Sequence, residues 1–228
     1  VCAGTAGLIA TYVLGPRLHR FTQNASTQNM LIVHEMPSHN PVYTCIGTLF
    51  LYVGWMSYIA SSCHRTECSS TNGNEVSAST SVANTLLATS AATLLGLMWE
   101  AYYLRLHSAE MINTSILSAL VCMSPLASFI HPYSAVIVGI LSFVVTNLIE
   151  PLSFLLMRNH IDDPCDTIRI YLYNGIVGIL AVGFFKDPTL SPASSSTSFS
   201  DGVGIFYGGD GTLLVAQIIG LLFIITFT

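Results

Sequence analysis

Charged residues are scarce in this chain of 228 residues. Seven Lys and Arg together with twelve Asp and Glu make up 8% of the sequence, whereas 52% of the residues are hydrophobic. An ordinary soluble domain carries roughly 25% charged residues, which keep its outer shell solvated. The composition therefore excludes a typical water-soluble domain and predicts that lipid covers much of the surface.

Motifs for metal, redox and nucleic-acid chemistry are also lacking. The six cysteines form no CxxC pair, the seven histidines show no HExxH or similar spacing, and no basic stripe offers a footprint for nucleic acid. No nucleophile–base arrangement is visible. We therefore predict no enzyme, no catalytic residue, no metal, no cofactor and no nucleic-acid partner. Cys63 and Cys68 lie in a polar loop, where they either pair, if the loop is extracellular, or stay free.

Long apolar runs take the place of charge. Five are long enough for complete transmembrane helices, at about 42–62, 79–103, 112–130, 133–157 and 167–185, and partial runs cover 1–14 and the residues from about 211. Because the runs are continuous rather than alternating, they favour helices over barrel strands. The sequence predicts an all-α polytopic membrane protein with about five full and two partial transmembrane helices. Both ends of the chain fall inside apolar runs, which suggests a cut upstream.

The distribution of Lys and Arg predicts an orientation, since cytoplasmic loops carry an excess of both. If the first run ends in the cytoplasm, five basic residues lie on the cytoplasmic side and two on the outer side. The cytoplasmic set is Arg17, Arg20, Arg105, Arg158 and Arg169, and the outer set is Arg65 and Lys186.

Two carboxylates lie within or beside the apolar runs. Glu150 precedes Pro151 inside the run at 133–157. An ionisable residue there is a candidate for a substrate pathway, because an unpaired charge in lipid is costly. Contact with neighbouring helices, with Arg158 or freed backbone groups as partner, is the favoured interpretation, and a pathway carboxylate is the alternative. Glu100 follows Trp99 near the end of the run at 79–103, where an interfacial acid needs no special role.

Several stretches, in order along the chain, carry a resemblance to a known family. They are AGTAGLIATYVLGPRLHRF at 3–21, MPSHNPVYTCIGTLFLYVGWMSYIASS at 36–62, ANT at 83–85, ALVCMSPLASFIHPYSAVIVG at 119–139, IDDPCDTIRIYLYNGIVGILAVGFF at 161–185 and GIFYGGDGTLLVAQIIG at 204–220. Together they resemble the ammonium transporter family, which comprises Amt, methylamine permease and Rhesus proteins. The DDP and LAVGFF segments look more like the plant and invertebrate Amt branch.

The resemblance implies a fold of eleven spans, arranged as two inverted halves plus a last helix, usually in a trimer. This chain would supply the end of the fifth span, spans six to ten and the start of the eleventh. Residues 1–228 are then expected to form a partial ammonium transporter-like membrane domain that lacks the N-terminal half. The resemblance further implies a multi-pass protein of the plasma membrane, a homotrimer, and ammonium or ammonia as substrate.

The resemblance also places candidate residues on a substrate pathway. Trp55 matches the Trp of the family's FGW motif, Tyr58 falls where the family has a gating Phe, and Ser62 falls on a Ser of the outer recruitment site. Asp166 matches an acidic residue that supports the pore architecture. Tyr171 stands where the family has the second of two pore histidines.

Two further positions near these candidates depart from the family's pattern. Leu172 replaces a Gly, which would narrow the pore, and Ile59 replaces an Asn. Three hypotheses therefore remain open: a transporter with a modified pore, a non-conducting relative that acts in sensing or assembly, and a degenerate fragment. An open or blocked path past Tyr171 would separate the first two.

Overall fold

Helices dominate the computed structural model, which describes residues 1–23, 31–33, 36, 39–65, 78–104, 108–148, 162–190 and 202–228. They are α1 (Cys2–Leu14), α2 (Pro41–Arg65), α3 (Ala78–Trp99), α4 (Ala109–Met123), α5 (Pro132–Leu148), α6 (Asn174–Phe185) and α7 (Thr212–Phe227). Two π-helical turns, Glu100–Leu104 and Ile168–Tyr173, follow α3 and precede α6, and 3-10 turns cover Pro188–Leu190 and Ile205–Tyr207. The predicted all-α fold class is confirmed.

A short antiparallel pair of strands lies between α1 and α2. It consists of β1 (Phe21–Gln23) and β2 (Leu31–Val33), with Phe21 opposite Val33. The apolar runs did not predict this element, because strands of three residues leave no hydropathy signal.

Three described helices are long and apolar enough to cross a membrane: Pro41–Ser62, Ala78–Tyr102 and Ile168–Phe185. They correspond to the predicted runs at 42–62, 79–103 and 167–185. Four shorter apolar helices correspond to the other runs: Cys2–Leu14, Ala109–Met123, Pro132–Asn147 and Thr212–Phe227. Residues 149–161 lie outside the described residues; they include Glu150, in the last part of the run at 133–157, and Arg158, just after that run. Cys68 of the possible disulfide also lies outside the described residues.

The predicted fourth span is shorter than its apolar run. Helix α4 ends at Met123, and residues 124–130 form tight turns instead of the expected helix. Pro125 has no N–H to continue the helical ladder, and the N–H of Leu126 instead bonds to the Met123 carbonyl at 3.0 Å. The side chain of Asn84 on α3 donates to two carbonyls of these turns, Ala127 at 3.0 Å and Ile130 at 2.8 Å. Hydropathy could not reveal this break, since the turn is as apolar as a helix.

Small residues let the helices approach closely, as glycine-containing spans predict. A Cβ on Gly139 of α5 would lie 2.3 Å from the carbonyl oxygen of Ala88 on α3. A Cβ on Gly178 of α6 would lie 2.5 Å from the carbonyl oxygen of Cys122 on α4. The backbone of α5 therefore contacts that of α3, and the backbone of α6 contacts that of α4. Much of the buried core lies between these helices.

The π-helical end of α3 gives Glu100 a structural role that the sequence did not reveal. Its side chain is buried and accepts hydrogen bonds from the backbone N–H of Ser108, at 3.1 Å, and from the Ser108 hydroxyl. Ser108 is in turn the N-cap of α4 and accepts from the N–H of Met111. Glu100 therefore joins the end of α3 to the start of α4, and the expectation of an interfacial acid without a special role is wrong.

Candidate functional site

A cavity of about 790 Å³ opens between α2, the end of α4, the π-helical turn before α6, the first turns of α6 and Val1, which precedes α1. Aromatic and aliphatic side chains form most of its wall. The lining residues are Val1, Phe50, Leu51, Gly54, Trp55, Tyr58, Val121, Ser124, Pro125, Tyr171, Gly175 and Ile179. Pockets of this size, largely apolar with a few polar groups, are typical of small-molecule sites.

Three of the predicted pathway residues meet in this cavity. Trp55 and Tyr58 lie on one face of α2, and Tyr171 reaches the same space from the π-helical turn. Ser62 lies one turn beyond Tyr58 and is not among the lining residues. Its hydroxyl donates to the Tyr58 carbonyl at 2.9 Å. The structure therefore brings together Trp55, Tyr58 and Tyr171, and it leaves Ser62 outside.

Ser124 is a cavity residue that the sequence analysis missed. The indole N–H of Trp55 donates to its hydroxyl oxygen at 2.8 Å, and that hydroxyl donates onward to the Leu120 carbonyl at 2.8 Å. This chain of hydrogen bonds fixes the Trp55 ring against the cavity. The Ser-Pro pair inside the apolar run at 112–130 was the available signal, since Pro125 stops the helix and leaves Ser124 at its end.

The two remaining departures from the family pattern do not face the cavity. Leu172 is buried, and a Cβ on Gly4 of α1 would lie only 2.6 Å from its Cβ. Ile59 is 2% exposed and belongs to the buried core. Tyr171 lines the cavity, whereas its neighbour Leu172 packs against Gly4 of α1, and narrowing of a pore by Leu172 stays a prediction.

The segment before Tyr171 is ordered by its own acidic residues. Asp163 accepts from the N–H of Ile168 at 2.7 Å and so caps the π-helical turn. Asp166 adopts a left-handed backbone with φ 51°, and its carbonyl accepts from the N–H of Ile170 at 2.8 Å. Asp166 thus lies at the start of the turn that presents Tyr171, a position that fits the structural role expected of it.

Asp162 joins this segment to the end of α1. Its two oxygens accept from Arg17 Nε at 2.6 Å and Nη2 at 2.9 Å, and Arg20 Nε lies 3.5 Å away. The hydrogen bond from Arg17 holds the pKa of Asp162 below its usual range, and the same bond raises the pKa of Arg17. The GPR and DDP motifs of the sequence therefore form one contact, which sequence reasoning did not connect.

A second polar cluster lies at the opposite ends of α5 and α6. His131 Nε2 lies 2.8 Å from Asp187 Oδ2, and Thr189 donates to Asp187 Oδ1 from its backbone N–H and from its hydroxyl, both at 2.7 Å. Burial alone would raise the pKa of Asp187, but the hydrogen bonds from Thr189 and His131 lower it. Tyr133 and Tyr207 complete the cluster, with their hydroxyl oxygens 2.7 Å apart.

The chain matches a known protein family over its whole length. The family model described as Ammonium Transporter Family matches residues 1–228, the whole chain. The chain belongs to the ammonium transporter family. The members of this family are transporters or channels, and they are multi-pass membrane proteins.

Relatives of the chain come from several kingdoms. Ammonium transporter 3 of Dictyostelium discoideum is 29% identical over 225 residues, which cover 97% of this chain and 48% of the relative. Ammonium transporter 3 member 2 of Oryza sativa is 26% identical, over 99% of this chain and 43% of the relative. The chain thus spans about half the length of the curated relatives it matches. The resemblance seen in the sequence motifs is confirmed.

Solved structures share the fold. The crystal structure of Candida albicans Mep2 superposes with a TM-score of 0.74 at 23% identity, covering 99% of this chain and 45% of Mep2. A structure called Sensor Amt Protein superposes with a TM-score of 0.71 at 23% identity, covering 99% of this chain and 49% of that protein. These likenesses show that the helices are arranged as in about half of such a protein. Among the described residues, no group of three His, Cys, Asp or Glu side chains is placed to hold a metal ion.

Proposed function

We propose that the protein conducts ammonium or ammonia across a membrane, and that the cavity is one wall of its pathway. The observation that carries the proposal is the meeting of Trp55, Tyr58 and Tyr171 in one cavity of a member of the ammonium transporter family. Trp55 and Tyr58 come from one helix and Tyr171 from a segment more than 100 positions later, and each was expected on the pathway from the family motifs alone.

The cavity wall suits a small cation and its neutral amine. The faces of aromatic rings attract cations, most strongly when water is excluded. Trp55 and Tyr58 offer such faces, since both line the cavity and Tyr58 is 61% exposed. The hydroxyl of Tyr171 donates and accepts hydrogen bonds and would contact ammonia as either partner. A tyrosine ordinarily has a pKa near 10, so Tyr171 would be a poor proton relay near neutral pH. We therefore favour passage of ammonia past Tyr171 after an aromatic cation site.

The proposal includes an assembly and a location. We propose that residues 1–228 are the C-terminal part of a transporter domain, that the protein forms homotrimers, and that it lies in the plasma membrane. The contact of Arg17 and Arg20 with Asp162 would face the cytoplasm, and the His131–Asp187 cluster would face outward.

A non-conducting relative that acts in sensing or assembly is the second candidate. Tyr171 in place of a histidine favours it, because the side chain lines the cavity and carries no imidazole. The degenerate-fragment hypothesis predicts that no folded protein accumulates in the native membrane. Immunoblotting of that membrane addresses it directly.

Uptake by cells that lack their own ammonium transporters tests the main proposal. The full-length protein and its Tyr171→His and Tyr171→Phe variants are compared at several external pH values, with membrane abundance measured in parallel. Tyr43→Phe is the matched control, since Tyr43 is an exposed residue of α2 outside the cavity. We expect saturable uptake by the wild type and by the control, and a changed rate in both Tyr171 variants. A wild type that reaches the membrane without any uptake, with uptake restored by Tyr171→His, would refute conduction and favour the non-conducting relative.

A further inference from the structure

The π-helical turn that presents Tyr171 ends at a fully buried asparagine. Asn174 is the first residue of α6, is 0% exposed, and is not among the residues that line the cavity. A polar side chain in the interior of a membrane bundle is costly unless its hydrogen-bonding groups are satisfied. Its position, three residues after Tyr171, raises the question of what its amide does.

The side chain of Asn174 is tied to two residues of α5. Ser142 donates from its hydroxyl to Asn174 Oδ1 at 2.9 Å, and Asn174 Nδ2 donates to Thr146 Oγ1 at 2.9 Å. Thr146 can accept this bond because its own hydroxyl donates to the Ser142 carbonyl at 2.8 Å. The direction of every bond is therefore determined, and the amide has one orientation. Ser142 and Thr146 are both buried, so water does not compete for these bonds.

The third bond of the amide reaches the π-helical turn itself. Asn174 Nδ2 also donates to the carbonyl of Arg169, five residues back, at 3.1 Å, while its backbone N–H donates to the carbonyl of Tyr171. A wide turn leaves carbonyls without their usual α-helical partners, and a buried unpaired carbonyl is unfavourable. The Asn174 side chain therefore satisfies the Arg169 carbonyl of the turn and joins the turn to α5.

We propose that Asn174 is the positioning residue of the pathway: with Ser142 and Thr146 it keeps the turn 168–173 wide and so directs Tyr171 into the cavity. Without the bond to the Arg169 carbonyl, the turn would tighten toward α-helical geometry. Tightening a π-helical turn changes the angle between successive side chains around the helix axis, which would carry Tyr171 away from the cavity wall. This inference rests on the proposed function only for its consequence in transport, and the geometry of Tyr171 can be tested without transport.

The structural test uses a single fluorine label on the full-length protein in lipid nanodiscs. With 3-fluorotyrosine incorporated at position 171, we expect one narrow fluorine resonance in the wild type and a shifted or doubled resonance in Asn174→Leu. Asn147→Leu is the matched control, because Asn147 bonds only to a carbonyl of its own helix, that of Phe143 at 2.8 Å, among the described contacts. If Asn174→Leu does not fold, Thr146→Val removes one of the three bonds and replaces it in the comparison. An unchanged Tyr171 resonance in a folded variant overturns the proposal.

A double-mutant cycle tests the functional consequence. Asn174→Leu is expected to raise the KM for ammonium roughly fivefold, with a smaller change in kcat. This factor is the equivalent of one lost hydrogen bond, the one proposed between the Tyr171 hydroxyl and ammonia. In a protein that already carries Tyr171→Phe, the same substitution should change KM less, since residues that act through each other are not additive. Fully additive effects would show that Asn174 acts only on stability and would overturn the proposal. If the wild type takes up no ammonium, the proposed function fails, and the fluorine spectra still decide the positioning role.

Discussion

The contact between Arg17 and Asp162 gives a sharp prediction on stability. Asp162 is 3% exposed at its side chain and accepts from Arg17 Nε, Nη2 and backbone N at 2.6, 2.9 and 3.2 Å. The substitution Asp162→Asn keeps the size of the side chain but removes the charge and turns an NH₂ group toward the guanidinium. Breaking a buried ion pair costs about 3–5 kcal/mol. The Arg17 side chain is 38% exposed, so solvent screening reduces the expected loss to about 2 kcal/mol.

Thermal unfolding of the full-length protein in detergent measures this loss. A free-energy change of 1 kcal/mol shifts the midpoint by roughly 2–4 °C for a domain of 150–250 residues and by less for a longer protein, so we expect a fall of up to about 8 °C. Asp210→Asn is the matched control, since Asp210 is exposed in the segment before α7, and its midpoint should not move. A midpoint for Asp162→Asn equal to that of the control would refute the interpretation of this contact as stabilising.

The pH dependence of the same variant checks the electrostatic cause. The folded pKa of Asp162 lies below its unfolded value, so the ion pair stabilises the protein above about pH 4 and loses this contribution as the pH falls through the folded pKa. The difference in midpoint between wild type and Asp162→Asn should therefore shrink in acid. A difference that is constant across the acid range would mean that packing, not charge, accounts for the loss.

Two further substitutions test the close packing and the buried amide of the bundle. Gly178→Val should destabilise the fold by about 1–3 kcal/mol or prevent it, because the new Cβ would meet the Cys122 carbonyl, whereas Gly220→Val, with nothing within 4 Å of the new Cβ, should be tolerated; equal yields of folded protein by size-exclusion chromatography would contradict this. Asn84→Leu should cost about 2–4 kcal/mol in thermal unfolding, because two carbonyls of the turn at 124–130 lose their donor, and a loss no larger than that of Ser90→Ala, an exposed site on the same helix, would refute it.

The apolar runs predicted the helices because lipid-facing segments must satisfy every backbone group internally, and a continuous helix does so. Hydropathy could not predict where the regular helix gives way. The extra residue of the turn Ile168–Tyr173 changes the face that each side chain occupies. For this reason Tyr171 lines the cavity, while its neighbour Leu172 packs against Gly4 of α1. Motif matching identifies a position in the chain, whereas the local helical geometry decides which way that position points.

Contacts between distant motifs were equally out of reach. Arg17 and Asp162 are 145 residues apart, and nothing in either motif specifies the other as its partner. The same holds for the amide of Asn174, which meets two hydroxyls of α5 only because α5 and α6 lie side by side. The alternatives for Cys63 and Cys68, a disulfide or free thiols, stay predictions, since Cys68 lies outside the described residues.

The polar residues of the spans support a general point about reading membrane sequences. A buried polar group is commonly taken as a candidate for a substrate pathway. In this bundle Asn84, Glu100 and Asn174 are all buried, yet each is bonded to a turn, a cap or a neighbouring helix, and none lines the cavity. The cavity wall is instead aromatic and aliphatic, and its polar side-chain groups are those of Ser124, Trp55 and two tyrosines. Because lipid penalises any unpaired polar group, Asn84 and Asn174 each satisfy backbone carbonyls of an irregular turn in this bundle. The pathway is therefore better sought beside such an asparagine, in the side chains that the irregular turn presents, than at the asparagine itself.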